Sequence, residues 1–428
     1  MNKTILLGLN ELNFDYIKKY TVSGHLPNFK KLFSEYGYAE TTSESKYELL
    51  EPWIQWVTIH TGKTYDEHKV FRLGDIVDRK DLTQLWEIAE SKGHTVGAVS
   101  PFNADNRLRN PLFFVPDPWT KTPASGSKLL KDLSAAVSQS VNDNASEKVN
   151  SSSAVAIIKS LMTYVPFRDK FKYFGLLLKV KSKVGIKAAI LDRLLGDVFV
   201  SNWNKHKPEF SSLFLNSGAH FQHHYMFNSK VYDGEFKNPE WYCPADQDPL
   251  LLILKIYDDI LGKLFNTTAR LFIATGLHQE PHGKVTFYWR LKEHARFLDQ
   301  IGVSYKEVLP RMSRDFLVKF NSEEEAKNAE QILKSFVSPE GSEIFNVDYR
   351  GNELFIELIY SKNIDDTFFI KSIELNQTIE AFKKYISFVA IKNGQHHGIG
   401  YFIDTSRKTP EMATMPLTNV FEIIKNSF

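Results

Sequence analysis

The sequence predicts an α/β fold in which a mostly parallel sheet is sandwiched between helices. Short apolar runs recur along the chain and indicate buried strands. They occupy residues 4–9, 95–100, 212–215 and 270–274. Segments whose apolar residues have helical spacing alternate with these runs, and such alternation is typical of a parallel sheet that helices cover on both faces.

The helices follow from apolar spacing and from their boundary residues. Pro27 is suited to a helix start, and Gly93 is suited to a helix end. The predicted helices span residues 13–20, 27–36, 82–92, 249–265 and 417–425.

Two segments interrupt the predicted core. Residues 120–205 predict a helical, basic insertion, and its Ser-, Ala-, Asn- and Lys-rich part at 122–153 is expected to be mobile and partly helical. Residues 306–365 predict a small subdomain of β-α-β-β order. The α/β core would then comprise residues 1–119, 206–305 and 366–428.

Composition narrows the classes of function. The chain has 428 residues with 43% hydrophobic content, enough for a large core, and its net charge of +2 gives no reason to expect nucleic acid as a partner. A single cysteine, Cys243, excludes an internal disulfide and a multi-cysteine zinc site. The apolar run at the N-terminus is short for a signal peptide, and no apolar run is long enough to predict a transmembrane helix. We therefore expect a cytoplasmic protein.

Residues 157–193 are helical in pattern and strongly basic. The basic residues are Lys159, Arg168, Lys170, Lys172, Lys179, Lys181, Lys183, Lys187 and Arg193. Asp169 and Asp192 oppose them, and Asp197 follows shortly after. A solvated helical lid explains this pattern. The alternative is a surface that contacts phosphates or an anionic membrane, which would place the protein at the inner face of the membrane.

Polar residues follow the predicted strands, at the end of a parallel sheet where ligands bind. Glu51 lies separately, just before a Trp-rich apolar segment that predicts a helix. Histidine is the commonest metal ligand and the usual acid–base group near neutral pH. The clusters contain Asn10, Glu11, Asn216, His220, His223, His224, Thr275, His278, His396 and His397.

Structural roles explain several of these residues equally well. Single histidines often satisfy a hydrogen bond in a core, and this holds for His223, His224, His278 and His396. The adjacent His223 and His224 would not both face a site from a strand or loop. Trp53 and Trp56 fit core packing, or one ring stacks on a sugar or base. Glu51 beside Pro52 is suited to a helix N-terminus, where an acid contributes about 0.3–1 kcal/mol, or to catalysis.

The order of several segments resembles the alkaline phosphatase superfamily, especially its phosphodiesterase and nucleotide-pyrophosphatase branch. The segments span nearly the whole chain: ILLGLNEL, LPNFKKLFSEYG, WVTIHTGKTYDEH, LWEIAESKGHTVGAVS, NSGAHFQHH, IATGLH, GQHHGIGYFI and MPLTNVFEII. Members of that superfamily usually hold two divalent metals and a Ser or Thr nucleophile.

The sequence departs from that pattern at the positions that carry chemistry. Two metal-binding aspartates correspond to Asn10 and Asn216, and the nucleophile corresponds to Pro52. An Asp-His pair falls on Gly276 and Leu277, with His278 displaced.

Only His220 and His397 keep the residue type of the family's metal ligands. The resemblance therefore implies that one metal site is lost. The other would hold one divalent cation (zinc, manganese or magnesium) on His220 and His397, or none.

Three functions are compatible with these residues. The preferred one is a transferase without a covalent phosphoenzyme, with a phosphate-bearing sugar donor (a nucleotide-sugar or a lipid-linked sugar) and a role in surface polysaccharide assembly. Glu51 or His220 would be the general base, and His397 with the amides of Asn10 and Asn216 would bind the developing charge. The predicted substrate contacts are Asn10, Glu11, Trp53, Asn216, His224, His278 and His396.

The second function is a divalent-metal-dependent phosphodiesterase or phosphatase in which His278 and Glu11 replace the missing acids. The third is an inactive module that binds a phosphorylated glycan.

Overall fold

The computed structural model describes residues 3–142, 151–178, 184–310, 314–410 and 412–428. Contacts divide the chain into two compact units. The first comprises Met1–Gly234, Pro239–Pro281 and Gly394–Phe428, and the second comprises Glu235–Asn238 and His282–Asn393. The predicted 120–205 insertion lies within the first unit, and the predicted 306–365 subdomain lies within the second.

The strands are β1 (Thr4–Leu9), β2 (Ala39–Thr42), β3 (Val96–Val99), β4 (Phe113–Val115), β5 (Phe210–Leu215), β6 (Arg270–Ala274), β7 (His278–Leu291), β8 (Glu307–Pro310), β9 (Asp315–Lys319), β10 (Phe336–Val337), β11 (Phe345–Tyr349), β12 (Glu353–Leu358), β13 (Ile370–Ser372), β14 (Gln377–Ile379), β15 (Ile386–His397), β16 (Ile399–Asp404) and β17 (Thr414–Pro416).

The helices are α1 (Phe14–Val22), α2 (Pro27–Tyr36), α3 (Pro52–Thr61), α4 (Tyr65–His68), α5 (Leu85–Ser91), α6 (Lys128–Asn142), α7 (Ser151–Tyr164), α8 (Phe167–Leu177), α9 (Ile186–His206), α10 (Ser217–Tyr225), α11 (Pro249–Phe265), α12 (His294–Gln300), α13 (Glu323–Lys334) and α14 (Thr418–Lys425).

The first unit is organised around an eight-stranded sheet in the order β17-β2-β16-β6-β1-β5-β3-β4. Strand β1 pairs in parallel with both β5 and β6, while β16 is antiparallel to its neighbours β6 and β2. The predicted fold class, an α/β fold with a mostly parallel sheet, is confirmed.

Helices cover both faces of this sheet, and alternate residues of β1 show it. Ile5, Leu7 and Leu9 belong to a core that includes residues of α1, α2, α9 and α11, whereas Leu6 belongs to a separate core with Trp56 of α3. Gly8 lets α3 approach closely, because a Cβ there would lie 2.7 Å from both Trp56 and Phe214.

Most predicted strands and helices are present, with small differences at their ends. The strands at Thr4–Leu9 and Arg270–Ala274 and the helix at Pro249–Phe265 have the predicted bounds. Helices α6 and α7 occupy part of the segment predicted to be mobile, and residues 143–150 lie outside the described residues.

The second unit has its own core and its own sheets. One sheet is antiparallel in the order β11-β12-β9-β8, and another has the order β10-β13-β14. Helix α13 contacts β11 and β12. The core includes Phe316, Leu333, Ile356 and Phe382.

Across the described ranges of both units, no helix combines the length and the apolarity needed to cross a bilayer.

Candidate functional site

The carboxyl ends of β1, β5 and β6 meet at one edge of the large sheet. In the register, Leu9 lies opposite Leu215 and Gly8 opposite Ala274. The polar residues that follow continue this pairing, since Asn10 N donates to Leu215 O (3.1 Å) and Glu11 N to Thr275 O (3.0 Å). Three segments far apart in the sequence therefore present their polar residues side by side.

Glu11 is the centre of a compact cluster with two histidines. Its Oε2 lies 3.1 Å from His223 Nε2 and 3.0 Å from His396 Nε2. The two Nε2 atoms are 3.3 Å apart. Glu11 is buried, whereas His223 and His396 are half-buried. We call these three residues the Glu11 cluster.

Amide side chains hold the Glu11 carboxylate in place. Asn10 Nδ2 donates to Glu11 Oε1 (2.9 Å), and Gln279 Nε2 donates to Glu11 Oε2 (2.6 Å). The orientation of the Asn10 amide follows from Trp56 Nε1, which donates to Asn10 Oδ1 (2.8 Å). Asn10 Nδ2 also donates to Asn216 Oδ1 (2.8 Å). The carboxylate is therefore positioned before any ligand binds.

The backbone at Glu11 is also unusual. Its φ of 59° is in the left-handed region, which costs a non-glycine residue about 1–3 kcal/mol. The surrounding structure holds it there, because Gln222 Nε2 donates to the Glu11 carbonyl (2.6 Å) and Gln279 N donates to the same oxygen (3.1 Å). Strain of this kind is concentrated at functional sites.

Charge in the cluster keeps Glu11 ionised. Burial by itself would raise the pKa of this carboxyl, but the neighbouring His396 and His223 outweigh burial and hold the pKa well below its usual range. Glu11 is therefore an anionic oxygen ligand at neutral pH.

His220, His223 and His224 lie on helix α10 and not on a strand or loop. In a helix, residues three and four apart share a face, so His220 lies beside both of the others. The rings of His220 and His224 are 4.5 Å apart. The His220 side chain reaches solvent, yet desolvation by surrounding protein atoms, with a contribution from His223, lowers its pKa to about 4.

A second cluster, here called the Glu280 cluster, contains His278, Glu280 and His397. Glu280 Oε1 lies 3.7 Å from His278 Nε2 and 3.8 Å from His397 Nε2. His278 Nδ1 lies 2.6 Å from the carbonyl of Ile399, which fits a tautomer with the proton on Nδ1 and Nε2 open to a ligand. Burial lowers the pKa of His278.

Strand alternation separates the two clusters. Side chains of successive residues in a strand point to opposite faces, so His278 and Glu280 share one face of β7 while Gln279 points to the other, where it reaches Glu11. The same alternation in β15 places His396 in one cluster and His397 in the other.

Glu51 directly precedes helix α3 and approaches the Glu11 cluster. Its Oε2 lies 3.8 Å from His396 Nδ1, on the opposite side of the ring from Glu11. Trp53 lies at the start of the same helix, but its Nε1 donates to the carbonyl of Phe71 (2.9 Å), and the ring packs at the edge of a hydrophobic core.

The structure distributes the predicted site residues over three groups. Asn10, Glu11, Asn216, Glu51 and His396 lie in or beside the Glu11 cluster. His278 and His397 lie in the Glu280 cluster, and His220 and His224 lie next to each other on α10. Within the described residues, neither group of potential metal ligands joins His220 with His397, the pair predicted to share a cation.

The predicted metal and substrate contacts did not include His223, which lies against Glu11, or the three residues that support Asn10 and Glu11, which are Gln222, Gln279 and Trp56. The spacing of His220 and His223, three residues apart, would have indicated a shared face if the segment had been predicted as a helix. Nothing in the sequence distinguishes Gln279 or Gln222 from other buried glutamines.

The Glu11 cluster fits a divalent metal ion. Bonds of about 2.0–2.1 Å from zinc to nitrogen and oxygen imply separations of about 2.9–3.4 Å between neighbouring ligand atoms. The three separations of 3.0, 3.1 and 3.3 Å lie within that range. Two imidazoles and one carboxylate suit zinc or another transition metal better than magnesium.

Comparison with solved structures finds similarity to members of the alkaline phosphatase superfamily. Phosphonoacetate hydrolase from Sinorhizobium meliloti 1021 is 12% identical, with a TM-score of 0.46 and coverage of 100% of this chain and 95% of that one. Murine ectonucleotide pyrophosphatase/phosphodiesterase 5 is 10% identical, with a TM-score of 0.43 and coverage of 99% and 94%. Alkaline phosphatase PafA is 12% identical, with a TM-score of 0.47 and coverage of 100% and 95%.

No protein-family model matches the sequence, and comparison with curated proteins finds no significant match. The roles of individual residues are therefore argued from the geometry of this chain.

Proposed function

We propose that this chain is an enzyme that acts on a phosphate-bearing substrate with a divalent cation held by Glu11, His223 and His396. The proposal rests on three potential ligand atoms, Glu11 Oε2 and the Nε2 atoms of His223 and His396. They lie 3.0–3.3 Å from one another, and the Glu11 carboxylate is buried. A cation at such a site supplies Lewis acidity toward a phosphoryl oxygen or activates a water molecule.

The residues around the cluster have separate tasks. Asn10 and Gln279 hold the Glu11 carboxylate by hydrogen bonds. Glu51 faces Nδ1 of His396 at 3.8 Å, where its negative charge favours a proton on Nδ1 and leaves Nε2 for the cation.

His220 and Glu51 are the two candidates for the general base. The lowered pKa of His220 leaves its imidazole neutral at pH 7, so it can accept a proton from a water molecule or an acceptor hydroxyl. Glu51 is half-buried and also within reach of solvent. Separate substitution of the two residues distinguishes them.

Within this proposal we favour direct transfer from a sugar phosphate donor, a nucleotide-sugar or a lipid-linked sugar, in glycan assembly. Glu51 and Pro52 stand at the start of α3, where a hydroxyl nucleophile would be expected from the family resemblance, and neither has a hydroxyl or thiol group. The acceptor hydroxyl would then attack the sugar carbon in a single step with inversion at that carbon. Its proton would pass to the general base, and the bond from the sugar carbon to the phosphate oxygen would break, so that the nucleoside diphosphate or lipid phosphate leaves.

A metal-dependent phosphodiesterase is the second candidate. The Glu280 cluster supports it, because this cluster provides a second group of two histidines and one carboxylate, which lie on β7 and β15. Hydrolysis of a phosphodiester differs from transfer of the sugar in two respects: the attacked atom is phosphorus instead of the sugar carbon, and the nucleophile is water instead of a hydroxyl of a second substrate.

Turnover assays with purified full-length protein test both candidates. The protein is loaded with zinc, manganese or magnesium and given either UDP-glucose, with and without a sugar acceptor, or bis(4-nitrophenyl) phosphate. We expect metal-dependent release of UDP that increases with acceptor, and loss of at least about 100-fold of the rate in Glu11→Gln.

Two further variants and one control assign the base. The two variants are His220→Ala and Glu51→Gln. The one that removes the general base lowers kcat by about 100-fold or more. His206→Ala, a substitution of an exposed histidine at the end of α9, leaves the rate unchanged. Cleavage of the diester without any acceptor effect would favour the phosphodiesterase. Ligand binding without turnover under every metal condition would contradict both and leave a binding module.

A further inference from the structure

Helix α7 exposes a row of large apolar side chains on one face, while Ile157 and Leu161 pack partly buried against the core. The side chains that point to solvent are Val155, Ile158 and Met162, which are 47%, 61% and 59% exposed. The side chains that are buried are Ser153, Ala156 and Ser160. The outer face of a surface helix in a water-soluble domain usually carries polar residues, so this exposed row of apolar side chains favours contact with something other than water.

Helix α8, which follows α7 in the chain, has an exposed apolar face of its own. Phe167, Phe171, Phe174 and Leu178 recur at intervals of three and four residues, on one face of the helix and at its C-cap, and each is more than 60% exposed. Contiguous apolar surface of this kind marks an interaction site.

The opposite side of α8 is fixed to the protein. Tyr173 is buried and its hydroxyl donates to Asp197 of α9 (2.7 Å), while Lys172 pairs with Asp259 of α11 (2.9 Å). The aromatic face of α8 is therefore presented to solvent by a helix that the core holds in a defined orientation.

Positive charge flanks the apolar surface. Asp169 is the one acidic residue in the sequences of α7 and α8, and it is already paired with Lys263 (2.5 Å). Lys159 and Arg168 are exposed. Three further basic residues of the 157–193 segment, Lys179, Lys181 and Lys183, lie outside the described residues and are not part of this surface.

We propose that the exposed faces of α7 and α8, from Val155 to Leu178, form a docking surface for an anionic lipid bilayer. Aromatic and aliphatic side chains enter the boundary between headgroups and acyl chains, and the surrounding lysines and arginines bind lipid phosphates. The combination of apolar residues on one face with basic residues beside them fits a membrane, because a purely apolar partner surface offers no complement to the charge.

This surface lets the protein lie on a bilayer without crossing it. Association is peripheral and reversible, and it weakens with salt because ions screen the attraction between lysines and lipid phosphates. The proposal is independent of the chemistry of the Glu11 cluster, since no residue of that cluster takes part.

Co-sedimentation of the full-length protein with vesicles tests the proposal. The vesicles contain phosphatidylcholine alone or phosphatidylcholine with 30% phosphatidylglycerol, a proportion of about one anionic lipid in three. We expect binding to the anionic vesicles, weaker binding at high salt and much weaker binding to the neutral vesicles.

Substitutions in exposed residues separate the apolar contribution from the charged one. Phe171→Ser with Phe174→Ser lowers the partition coefficient at least about tenfold, because two aromatic side chains no longer enter the bilayer. Lys159→Glu with Arg168→Glu lowers it on anionic vesicles only. Ile373→Ser, at a 74% exposed position in the second unit, is the matched control and leaves binding unchanged.

Circular dichroism and thermal unfolding establish that each variant is folded. Equal binding of the Phe171/Phe174 variant and the unaltered protein would overturn the proposal, as would absence of binding to anionic vesicles. A dimer in solution that the same double substitution converts to a monomer, without vesicle binding, would show instead that the surface joins two copies of the chain.

Discussion

The Glu11 and Glu280 clusters contain the same residue types but differ in how firmly they are built. In the Glu11 cluster the donor atoms are 3.0–3.3 Å apart and two amides hold the carboxylate. In the Glu280 cluster the corresponding distances are 3.7 and 3.8 Å, and both Glu280 and His397 are more than 40% exposed. The comparison shows that neighbouring side chains, and not the three residue types alone, fix the positions of potential metal ligands.

The second cluster does have one supporting contact, between His278 Nδ1 and the Ile399 carbonyl. For His397, the nearest backbone contact is Ile399 N at 3.4 Å from Nδ1, and ligation through Nε2 would give it up because Nδ1 would then carry the proton. We therefore expect the Glu11 cluster to bind a cation tightly and the Glu280 cluster to bind one weakly.

The largest expected effect is on metal affinity after isosteric substitution of each carboxylate. Glu11→Gln weakens zinc or manganese binding by at least about 100-fold, since it removes the negative charge of the ligand. It also places an NH2 group against one of the two amide donors, Asn10 Nδ2 or Gln279 Nε2. Glu280→Gln is the matched control and has a much smaller effect on the tight site. Isothermal titration calorimetry measures both, and equal losses would remove the distinction between the clusters.

A smaller loss of metal affinity is expected when a hydrogen bond to Glu11 is removed while Glu11, His223 and His396 remain. Gln279→Leu deletes the donor that lies 2.6 Å from Glu11 Oε2, and loss of such a contact typically weakens metal binding about 10–100-fold. Gln300→Leu, in the second unit, removes a glutamine that donates to Tyr385 and is the control. An unchanged affinity in Gln279→Leu would mean that the hydrogen bonds around Glu11 do not position it.

The smallest effect is on the pH dependence of stability, and the two clusters act in different pH ranges. The pKa of His278 is lowered in the folded protein, so the unfolded chain takes up a proton first as the pH falls below about 6.5, and stability decreases. His278→Gln therefore removes a slope of up to about 1.4 kcal/mol per pH unit below that pH.

Glu11 acts at lower pH. Its lowered pKa contributes stability that is fully present above the unfolded value of about 4.3 and is lost as the pH falls below it. The difference in unfolding free energy between the unaltered protein and Glu11→Gln should be constant from pH 7 to about pH 5 and shrink below about pH 4. Urea denaturation across this range measures both effects, and a single shared pH range would contradict the assignment.

Much of the fold could be predicted because its signals are local. The runs at Thr4–Leu9 and Arg270–Ala274 are short, apolar and bounded by polar residues, and they form adjacent strands of one sheet. The presence of Asn10, Glu11 and Asn216 at the ends of these strands could also be predicted, since all carboxyl ends of parallel strands share one edge.

Which side chains form the Glu11 cluster was harder to predict than the strands. The helical geometry of α10 brings His223 toward Glu11. This segment was predicted to be a strand or loop, so the position of His223 was not expected. Glu11 was predicted as a substrate contact and, for a metal-dependent phosphodiesterase, as a replacement for a missing acid. Its hydrogen bond from Gln279 could not be predicted, because Gln279 is distant in sequence.

By itself, the sequence determined several strands of the large sheet, several of the helices, the excess of basic residues in 157–193 and the concentration of histidines after particular strands. The tertiary structure decided which histidines act together. His396 and His397 are adjacent in sequence, yet they belong to different clusters, because neighbouring residues of a strand face opposite sides and a shift of one residue in pairing would exchange them. That pairing depends on how β15 meets β7 more than a hundred residues earlier in the chain, and local propensities carry no information about it.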